Sequence, residues 1–277
     1  MIDADVAGYF DSIPHGRLRD MLDLRIKDGV VRRMIDKWLS AGVLENGTLQ
    51  KADTGTPQGG VISPLLANLF LHYVLERWFA ETVQPRLRGA SQLVRCAEDF
   101  VMTLATAGDG QRVLAVLGQR LGRYGLTLNA AKTHYVDFRP ARGARGQESP
   151  ASFDFLGCTH VWGRSRRGYW VVRQTTSKQR FARGLRAVKE WCKRHRHAPL
   201  AEQQERLASA IRGHCNYYGL TGNGKRLGQF RYEVVRTWQK WLMRRSRKSR
   251  VNWERMAEVL ERYPLPAAKV VHSIYTT

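Results

Sequence analysis

The sequence has little cysteine and no long apolar run. Its four cysteines, Cys96, Cys158, Cys192 and Cys215, are scattered and form no C-x-x-C pair. This spacing excludes a disulfide scaffold and a zinc finger, and it is typical of a reducing compartment. No stretch approaches the roughly 18 uninterrupted apolar residues of a membrane span, and the acidic start MIDADVAGYFD is unlike a secretory signal. We therefore expect a protein without membrane segments in a reducing compartment such as the cytoplasm.

Acidic residues are also scarce, with 24 Asp and Glu against 46 Lys and Arg in 277 residues, a formal net charge of +22. Apolar residues make up 43% of the chain, too many for a disordered basic tail. The excess is uneven: residues 1–109 net −2, residues 110–177 net +8, residues 178–250 net +16 and residues 251–277 zero. Such asymmetry is typical of a protein whose basic part grips a phosphate backbone. The alternative is a well-solvated helical face.

The spacing of apolar residues predicts two parts that meet near residue 176. Before that point short strands alternate with helices: a strand ending near Gly8, helices over 15–27, 30–39, 62–79 and 111–124, a strand over 133–138, and hairpins over 93–105 and 153–173. After it the periodicity is helical, over 178–196, 200–218, 225–247 and 251–262.

Three acidic residues stand at predicted strand ends. Asp5 closes the first strand, and Glu98 and Asp99 lie at the tip of the hairpin over 93–105. Carboxylates from distant parts of a chain that meet at strand ends are what a two-metal phosphoryl-transfer site requires, since Mg²⁺ takes oxygen ligands. A solvated acidic turn is the alternative interpretation.

Ordered sequence blocks extend this pattern. The segments DADVAGYFDSIPH, GTPQGGVISPLLANLFLHYVLERWF, RCAEDFVM, GLTLNAAKTHYVDF and FDFLGCTH closely resemble the palm of group II intron-encoded reverse transcriptases. The segments LAEQQERLASAIRGHCNYYG and FRYEVVRTWQKWLMRRSRKSRVNWERM resemble the thumb and maturase-specific region of the same family. The resemblance covers essentially the whole chain. It implies an α+β fold, with a right-hand polymerase palm (an antiparallel sheet with packed helices) in residues 1–176 and an all-α thumb or maturase-specific domain in residues 177–277.

The resemblance also implies an activity and its partners. The family reaction is RNA-directed DNA polymerisation, which uses two Mg²⁺ ions, dNTPs, an RNA template and a DNA primer, and the family also binds intron RNA for splicing. Asp5, Glu98 and Asp99 match the catalytic and metal-binding positions, assisted by the backbone carbonyl of Val6.

Four further residues match the family's nucleotide-binding positions: Phe10, Gln58, Gly59 and Lys132. Phe10 matches the ring that closes against the sugar, Gln58 contacts the nucleotide, and Gly59 lets the backbone approach closely. Lys132 matches a basic residue near the phosphates. The alternatives are a core aromatic for Phe10, an ordinary turn for Gln58 and Gly59, and a solvated surface lysine for Lys132.

Basic side chains are the expected RNA contacts of the second part. They stand near two helix ends and in the turn of the second hairpin: Lys189, Lys193, Arg194, Arg196, Arg244, Arg245, Arg247, Lys248, Arg250, Arg166 and Arg167. Arg and Lys supply phosphate contacts and release counterions. Aromatics interleaved with them can stack on unpaired bases, but their helical spacing favours a place in the core for most.

Two departures from the family pattern bear on activity. The family's Tyr-Ala-Asp-Asp hairpin is Cys-Ala-Glu-Asp here, so Glu98 moves a carboxylate outward by one methylene, and misplacement of about 1 Å can cost on the order of 10²-fold in rate. Asp5 stands four residues from the start, so we expect an N-terminally truncated relative whose fingers are missing or supplied by a partner, and no H-N-H endonuclease domain. Weak polymerase activity is therefore expected. The alternatives are a non-catalytic RNA-binding maturase and a degenerate fragment.

Overall fold

A computed structural model describes residues 1–41, 43–45, 48–50, 54–56, 60–140, 151–165, 167–246 and 251–273. The chain divides into two compact units, Met1–Phe138 and Arg139–Thr277. The boundary expected near residue 176 lies inside the second unit. Within the described ranges, no helix has both the length and the apolar character needed to cross a membrane.

The first unit combines short antiparallel strands with helices. Its strands are β1 (Ile2–Ala4), β2 (Val6–Ala7), β3 (Val43–Glu45), β4 (Thr48–Gln50), β5 (Ser91–Cys96), β6 (Asp99–Leu104), β7 (Thr127–Leu128) and β8 (His134–Tyr135). Its α-helices are α1 (Tyr9–Ser12), α2 (His15–Asp23), α3 (Gly29–Ser40), α4 (Ser63–Leu71) and α5 (Ala107–Gly122). Two π-helical segments, His72–Glu76 and Phe79–Val83, and a 3-10 turn, Gln84–Arg86, continue the chain after α4.

The main sheet of this unit has the strand order β5-β6-β1-β8, and its neighbours are antiparallel. The predicted first strand is in fact two strands, because the chain leaves this sheet at Asp5. β1 pairs with β6 and β8, whereas β2 pairs with β7. Asp5 therefore lies at the end of the sheet where β1 ends and β6 begins.

The core of the first unit lies between this sheet and α4. Most residues of α4 are apolar, and Phe70 and Leu71 are fully buried, although Leu65 is exposed. They join Ile2 of β1 and Phe100 and Met102 of β6 in one cluster. Each fully buried side chain of this size stabilises the fold by about 1.5–3 kcal/mol relative to its exposed state.

The second unit places a three-stranded antiparallel sheet beside helices. The strands are β9 (Ser152–Phe155), β10 (Cys158–Arg164) and β11 (Trp170–Thr176), with β10 in the middle. The hairpin predicted over 153–173 therefore has one more strand than expected. The helices are α6 (Lys178–Arg194), α7 (Leu200–Tyr218), α8 (Gly224–Leu242) and α9 (Trp253–Arg262). They confirm the predicted helices, although the third ends earlier than its pattern suggested.

Asn223 joins this sheet to the helices. Its side chain is 1% exposed. Its Oδ1 accepts a hydrogen bond from the backbone N–H of Thr176 at 3.1 Å, and its Nδ2 donates to Thr176 Oγ1 at 2.9 Å and to the carbonyl of Tyr218 at 2.7 Å. Because the end of β11 is bound in this way to the loop between α7 and α8, the strands belong to the same compact unit as the helices.

A second buried amide organises the helical core. Gln203 is 1% exposed, and its Oε1 accepts a hydrogen bond from Nε1 of the fully buried Trp238 at 2.7 Å. Its Nε2 donates to the carbonyls of His195 and Ala198, each at 2.9 Å. These carbonyls belong to the connection between α6 and α7, so one side chain fixes both that turn and the indole at the centre of α8.

Candidate functional site

The three predicted acidic residues lie at the same end of the main sheet, where β1 ends and β6 begins. β5 and β6 form a hairpin in which Cys96 pairs with Asp99, so the turn consists of Ala97 and Glu98 alone. Ala97 has φ +53°, a left-handed conformation that costs a non-glycine residue about 1 kcal/mol. The antiparallel register pairs Ala4 with Phe100. Asp5, the next residue after Ala4, therefore lies beside Asp99, the residue before Phe100.

Asp5 is buried and held by hydrogen-bond donors. Its side chain accepts from Lys132 Nζ at 2.7 Å and from Asn129 Nδ2 at 3.2 Å. Its backbone carbonyl accepts from the backbone N–H of Asn129 at 2.9 Å. The ammonium group itself is largely exposed, with 66% of the Lys132 side chain accessible. The charge on Asp5 is therefore balanced from the solvent side of the site.

The electrostatics of the site follow from this crowding. Burial raises the pKa of Asp99, and the negative charges of Asp5 and Glu98 raise it further. The hydrogen bond to Asp5 raises the pKa of Lys132, and the charges of Asp5, Asp99 and Glu98 add to this effect. The carboxylates of Asp5, Glu98 and Asp99 thus concentrate negative charge, which a bound cation would neutralise.

The donor chemistry of these residues fits magnesium, which takes hard oxygen ligands and tolerates paired carboxylates. The register that sets Asp5 beside Asp99 is the observation that supports the fit, because it brings two carboxylates together. In the ranges that the structure describes, no three His, Cys, Asp or Glu side chains are grouped closely enough to hold a metal ion as they stand. Val6, whose carbonyl is the other expected ligand, lies in β2 and is paired with Leu128.

The predicted nucleotide-binding residues are only partly described. Phe10 lies in α1 and packs half-buried against the core, with its ring centroid 5.6 Å from that of Tyr9. Its carbonyl accepts a hydrogen bond from the backbone N–H of Thr56 at 2.7 Å, which fixes the start of the glycine-rich loop. Gln58 and Gly59 lie outside the described residues.

Two groups of basic residues in the second unit lie close together although they are far apart in sequence. Arg245, just after α8, donates from its guanidinium group to the carbonyls of Arg196 and Ala198. The basic ends of α6 and α8 are therefore neighbours at one end of the helices. Arg245 uses its Nε and Nη2 groups to bind the backbone and burial lowers its pKa, and its contact with RNA stays a prediction.

Other predicted RNA contacts are exposed to solvent. The exposed ones among the described residues are Lys189, Lys193, Arg194, Arg244 and Arg167, and Arg196 is half-buried. Four more, Arg166, Arg247, Lys248 and Arg250, lie outside the described residues. Phe181, Phe230, Trp238 and Trp241 are buried, which confirms the expectation that most aromatics belong to the core. Tyr217 and Tyr232 are more than half exposed and remain able to stack on bases.

Comparison with known families agrees with this arrangement. Residues 1–160 match the family described as "Reverse transcriptase (RNA-dependent DNA polymerase)", and residues 181–259 match "Group II intron, maturase-specific domain". The chain belongs to the group II intron reverse transcriptase/maturase family. The acidic site lies within the reverse transcriptase match, and the basic ends of α6 and α8 lie within the maturase-specific match.

Relatives of this reverse transcriptase/maturase differ in how much of the chain they cover. The "Group II intron-encoded protein LtrA" of Lactococcus lactis subsp. cremoris is 48% identical over 71 residues, 26% of this chain and 12% of that protein. "Protein YkfC" of Escherichia coli is 37% identical over 220 residues, 68% of this chain and 54% of that protein. The chain thus spans a small part of LtrA and about half of YkfC.

Among solved structures, telomerase from Candida albicans in complex with a TWJ fragment of telomeric RNA has a TM-score of 0.45 and 14% identity. The match covers 94% of this chain and 45% of that one, and the likeness is too weak to carry a conclusion.

Sequence reasoning missed two residues of this reverse transcriptase/maturase. One is Asn129, which lies shortly before Lys132 in the segment GLTLNAAKTHYVDF. It binds Asp5 through both its side chain and its backbone. The signal was the Asn itself, a residue that favours turns and bonds to nearby groups. The second is His214, a buried histidine of α7 stacked on Phe230. Nothing in its sequence context distinguishes it from a solvated histidine.

Proposed function

We propose that the chain is an RNA-directed DNA polymerase and maturase with a palm-like catalytic part and a basic helical part that holds RNA. In this proposal residues 1–176 are the palm and residues 177–277 are the thumb and maturase-specific domain. The observation that carries the catalytic half is the register of β1 against β6, which brings Asp5 next to Asp99 across about 90 residues of sequence. A solvated acidic turn does not require that convergence.

The reaction is the attack of a primer 3′-hydroxyl oxygen on the α-phosphate of a dNTP. The new P–O bond forms as the bond to the β-phosphate bridging oxygen breaks, and pyrophosphate leaves. Asp5, Glu98 and Asp99, with the carbonyl of Val6, would hold the magnesium ions, which supply charge neutralisation and activate the attacking hydroxyl. Phe10 is the proposed contact of the sugar.

Lys132 has a separate role in this proposal. Its ammonium group lies at the solvent edge of the site, 2.7 Å from Asp5. From that position it contacts the triphosphate and supplies a proton to the departing pyrophosphate. The hydrogen bond to Asp5 raises the pKa of Lys132 further above neutrality, so the ammonium group carries a proton when the nucleotide arrives.

Glu98 tests the catalytic proposal. If its longer side chain misplaces a metal ligand, Glu98→Asp raises primer extension on an RNA template by up to roughly 10²-fold. Asp5→Asn in the Glu98→Asp background is the matched control and abolishes extension, because it removes the charge of the buried ligand while keeping its shape. Extension that survives Asp5→Asn would place the chemistry elsewhere.

A non-catalytic maturase is the second candidate, favoured by one observation. The net charge of residues 178–250 is +16, which supplies RNA binding whether or not the acidic site works. In that case Asp5→Asn leaves RNA binding and splicing of a group II intron RNA unchanged, and neither wild type nor Glu98→Asp extends a primer. Primer extension assayed beside intron splicing separates the two.

A further inference from the structure

A cleft of about 340 Å³ lies between α6 and α7 in the second unit. Small residues of both helices line it, among them Ala187 from α6 and Ala210 and Gly213 from α7. A methyl group added at Gly213 would meet no atom within 4 Å. The cleft is therefore open beside Gly213 and accessible to a ligand.

The walls of the cleft are aromatic. Trp191 stands on α6, Tyr218 ends α7 and Phe230 comes from α8. The imidazole of His214 also lines the cleft and stacks on the Phe230 ring, with centroids 3.8 Å apart and planes within 5°. Aromatic faces of this kind favour a flat ring system as the ligand, since stacking adds to simple burial.

His214 adds a polar requirement. Its side chain is more than nine-tenths buried, and its Nε2 has no hydrogen-bond partner among the described residues. An unpaired buried nitrogen costs free energy that a ligand with a complementary group recovers. A flat ring that carries hydrogen-bonding groups at its edge meets both conditions, as a nucleobase does.

The surroundings of the cleft carry positive charge. Arg206 is one of its lining residues. The guanidinium groups of Arg180 and Arg183 act on Tyr218 at one end through their charge, and Arg226, which lies over the Phe181 ring at 3.9 Å, acts in the same way on His214. These positive charges favour a ligand with a flat ring inside the cleft and an anionic part outside it. An uncharged aromatic molecule would lack the second interaction.

We propose that this cleft holds an unpaired nucleobase of single-stranded RNA, with the flanking phosphates directed toward the arginines. The inference rests on the proposed RNA binding by the second unit and deepens it, because it names the chemical group that the unit selects. Bases inside a duplex stay stacked on their neighbours and do not enter. The cleft therefore distinguishes unpaired from paired RNA.

Gly213→Leu tests the proposal by filling the cleft with a side chain. Leucine favours a helix more than glycine does, so the change preserves or improves the fold. Gly228→Leu in α8 is the matched control, because Gly228 is also an exposed helical glycine with no atom within 4 Å of an added methyl group, and it does not line the cleft. Thermal unfolding of both full-length variants confirms that each is folded.

The readout is fluorescence anisotropy of the full chain with three probes: a short single-stranded RNA, an abasic strand of the same length, and a duplex of the same sequence. Stacking of a base on aromatic side chains contributes a factor of roughly ten in affinity. Wild type and Gly228→Leu should therefore prefer the base-bearing strand over the abasic strand. Gly213→Leu should reduce that preference by roughly tenfold and leave duplex binding unchanged.

Three outcomes would overturn the proposal. If Gly213→Leu keeps the full preference for the base-bearing strand, the cleft does not hold a nucleobase. The proposed RNA binding by the second unit would still be supported. Equal losses for the base-bearing and abasic strands assign the cleft to the backbone or to a different ligand such as an acidic peptide. Failure of wild type to bind any of the three probes removes the proposed RNA binding itself, and this inference with it.

Discussion

The two compact units differ most in how their charges are balanced. Met1–Phe138 contains 16 Lys and Arg and 15 Asp and Glu, a net of +1, whereas Arg139–Thr277 contains 30 and 9, a net of +21. Arginines of the first unit are paired within it, as Arg19 is with Asp36 and Arg95 is with Glu76. The second unit has far too few acids for such pairing. If the proposed function is correct, RNA binding and carboxylate-dependent catalysis belong to different units, and mutations should separate them.

The largest expected effect is the salt dependence of RNA affinity. If the second unit contacts six or more phosphates, affinity falls by about 10³-fold or more between about 50 and 200 mM salt. Lys193→Ala combined with Arg194→Ala should reduce the slope of log affinity against log salt by about two. Arg33→Ala combined with Lys37→Ala, two exposed basic residues of α3 in the first unit, is the control and should leave the slope unchanged. Equal changes in slope for both pairs would show that the two units do not differ in their contribution to RNA binding.

Asn223→Ala tests how strongly the second unit depends on one buried amide. The variant loses three hydrogen bonds and leaves Thr176 and Tyr218 groups unpaired in the interior. Its free energy of unfolding should fall by about 3 kcal/mol, measured by urea denaturation. Asn216→Ala, at an exposed position of α7, is the matched control and should change it by less than about 0.5 kcal/mol. Similar losses for both would mean that the buried hydrogen bonds are unimportant.

His214 predicts that the second unit loses stability in mild acid. Burial lowers the pKa of His214 to about 4, and the nearby charge of Arg226 contributes. Because the unfolded chain binds the proton more tightly, stability is present above the unfolded pKa of about 6.5 and declines as pH falls toward 4. The loss between pH 7 and pH 5 should be about 2 kcal/mol.

His214→Phe supplies the control for this pH dependence. It keeps a ring against Phe230 and Tyr218 and removes the titrating group. Urea denaturation between pH 7 and pH 5 should show a smaller loss than in wild type, by the same 2 kcal/mol or so. An unchanged pH profile would assign the acid sensitivity to other groups.

The smallest expected effect compares the hairpin turns of the two units. Each places a non-glycine residue at positive φ, Ala97 in the first and Leu156 at φ +50° in the second. Leu156 precedes Gly157, also at positive φ, in a two-residue turn that favours Asn-Gly. Leu156→Asn should stabilise the chain by about 1 kcal/mol in thermal unfolding. Leu156→Ala keeps the unfavourable conformation, and an equal gain from it would show that loss of the exposed leucine side chain matters instead.

Sequence patterns predicted the elements of this protein better than their connections. Helical periodicity located α6 and α7 within two residues, because each buries one apolar stripe. The hairpin of β5 and β6 followed from alternation around an acidic turn. Convergence of Asp5 with Asp99 was expected from strand ends, but the contact of Lys132 with Asp5 depends on how a loop folds back, which local patterns do not record.

The unit boundary shows the same limitation. The change from strand to helix periodicity lies near residue 176, whereas the compact units divide after Phe138, and Asn223 binds the end of β11 to the loop between α7 and α8. Arg245, a predicted RNA contact, also binds backbone carbonyls between α6 and α7. Composition identifies a basic residue, whereas its neighbours decide whether its donors are free.

Arg245 has a further consequence for recognition. By holding the turn at Arg196 and Ala198, it fixes the spacing between two basic clusters that are about 50 residues apart in sequence. The conformational entropy of bringing those charges together is lost during folding and not during binding, so the surface is preorganised for its ligand. An RNA whose phosphates match that fixed spacing would bind in preference to one of equal charge and different shape.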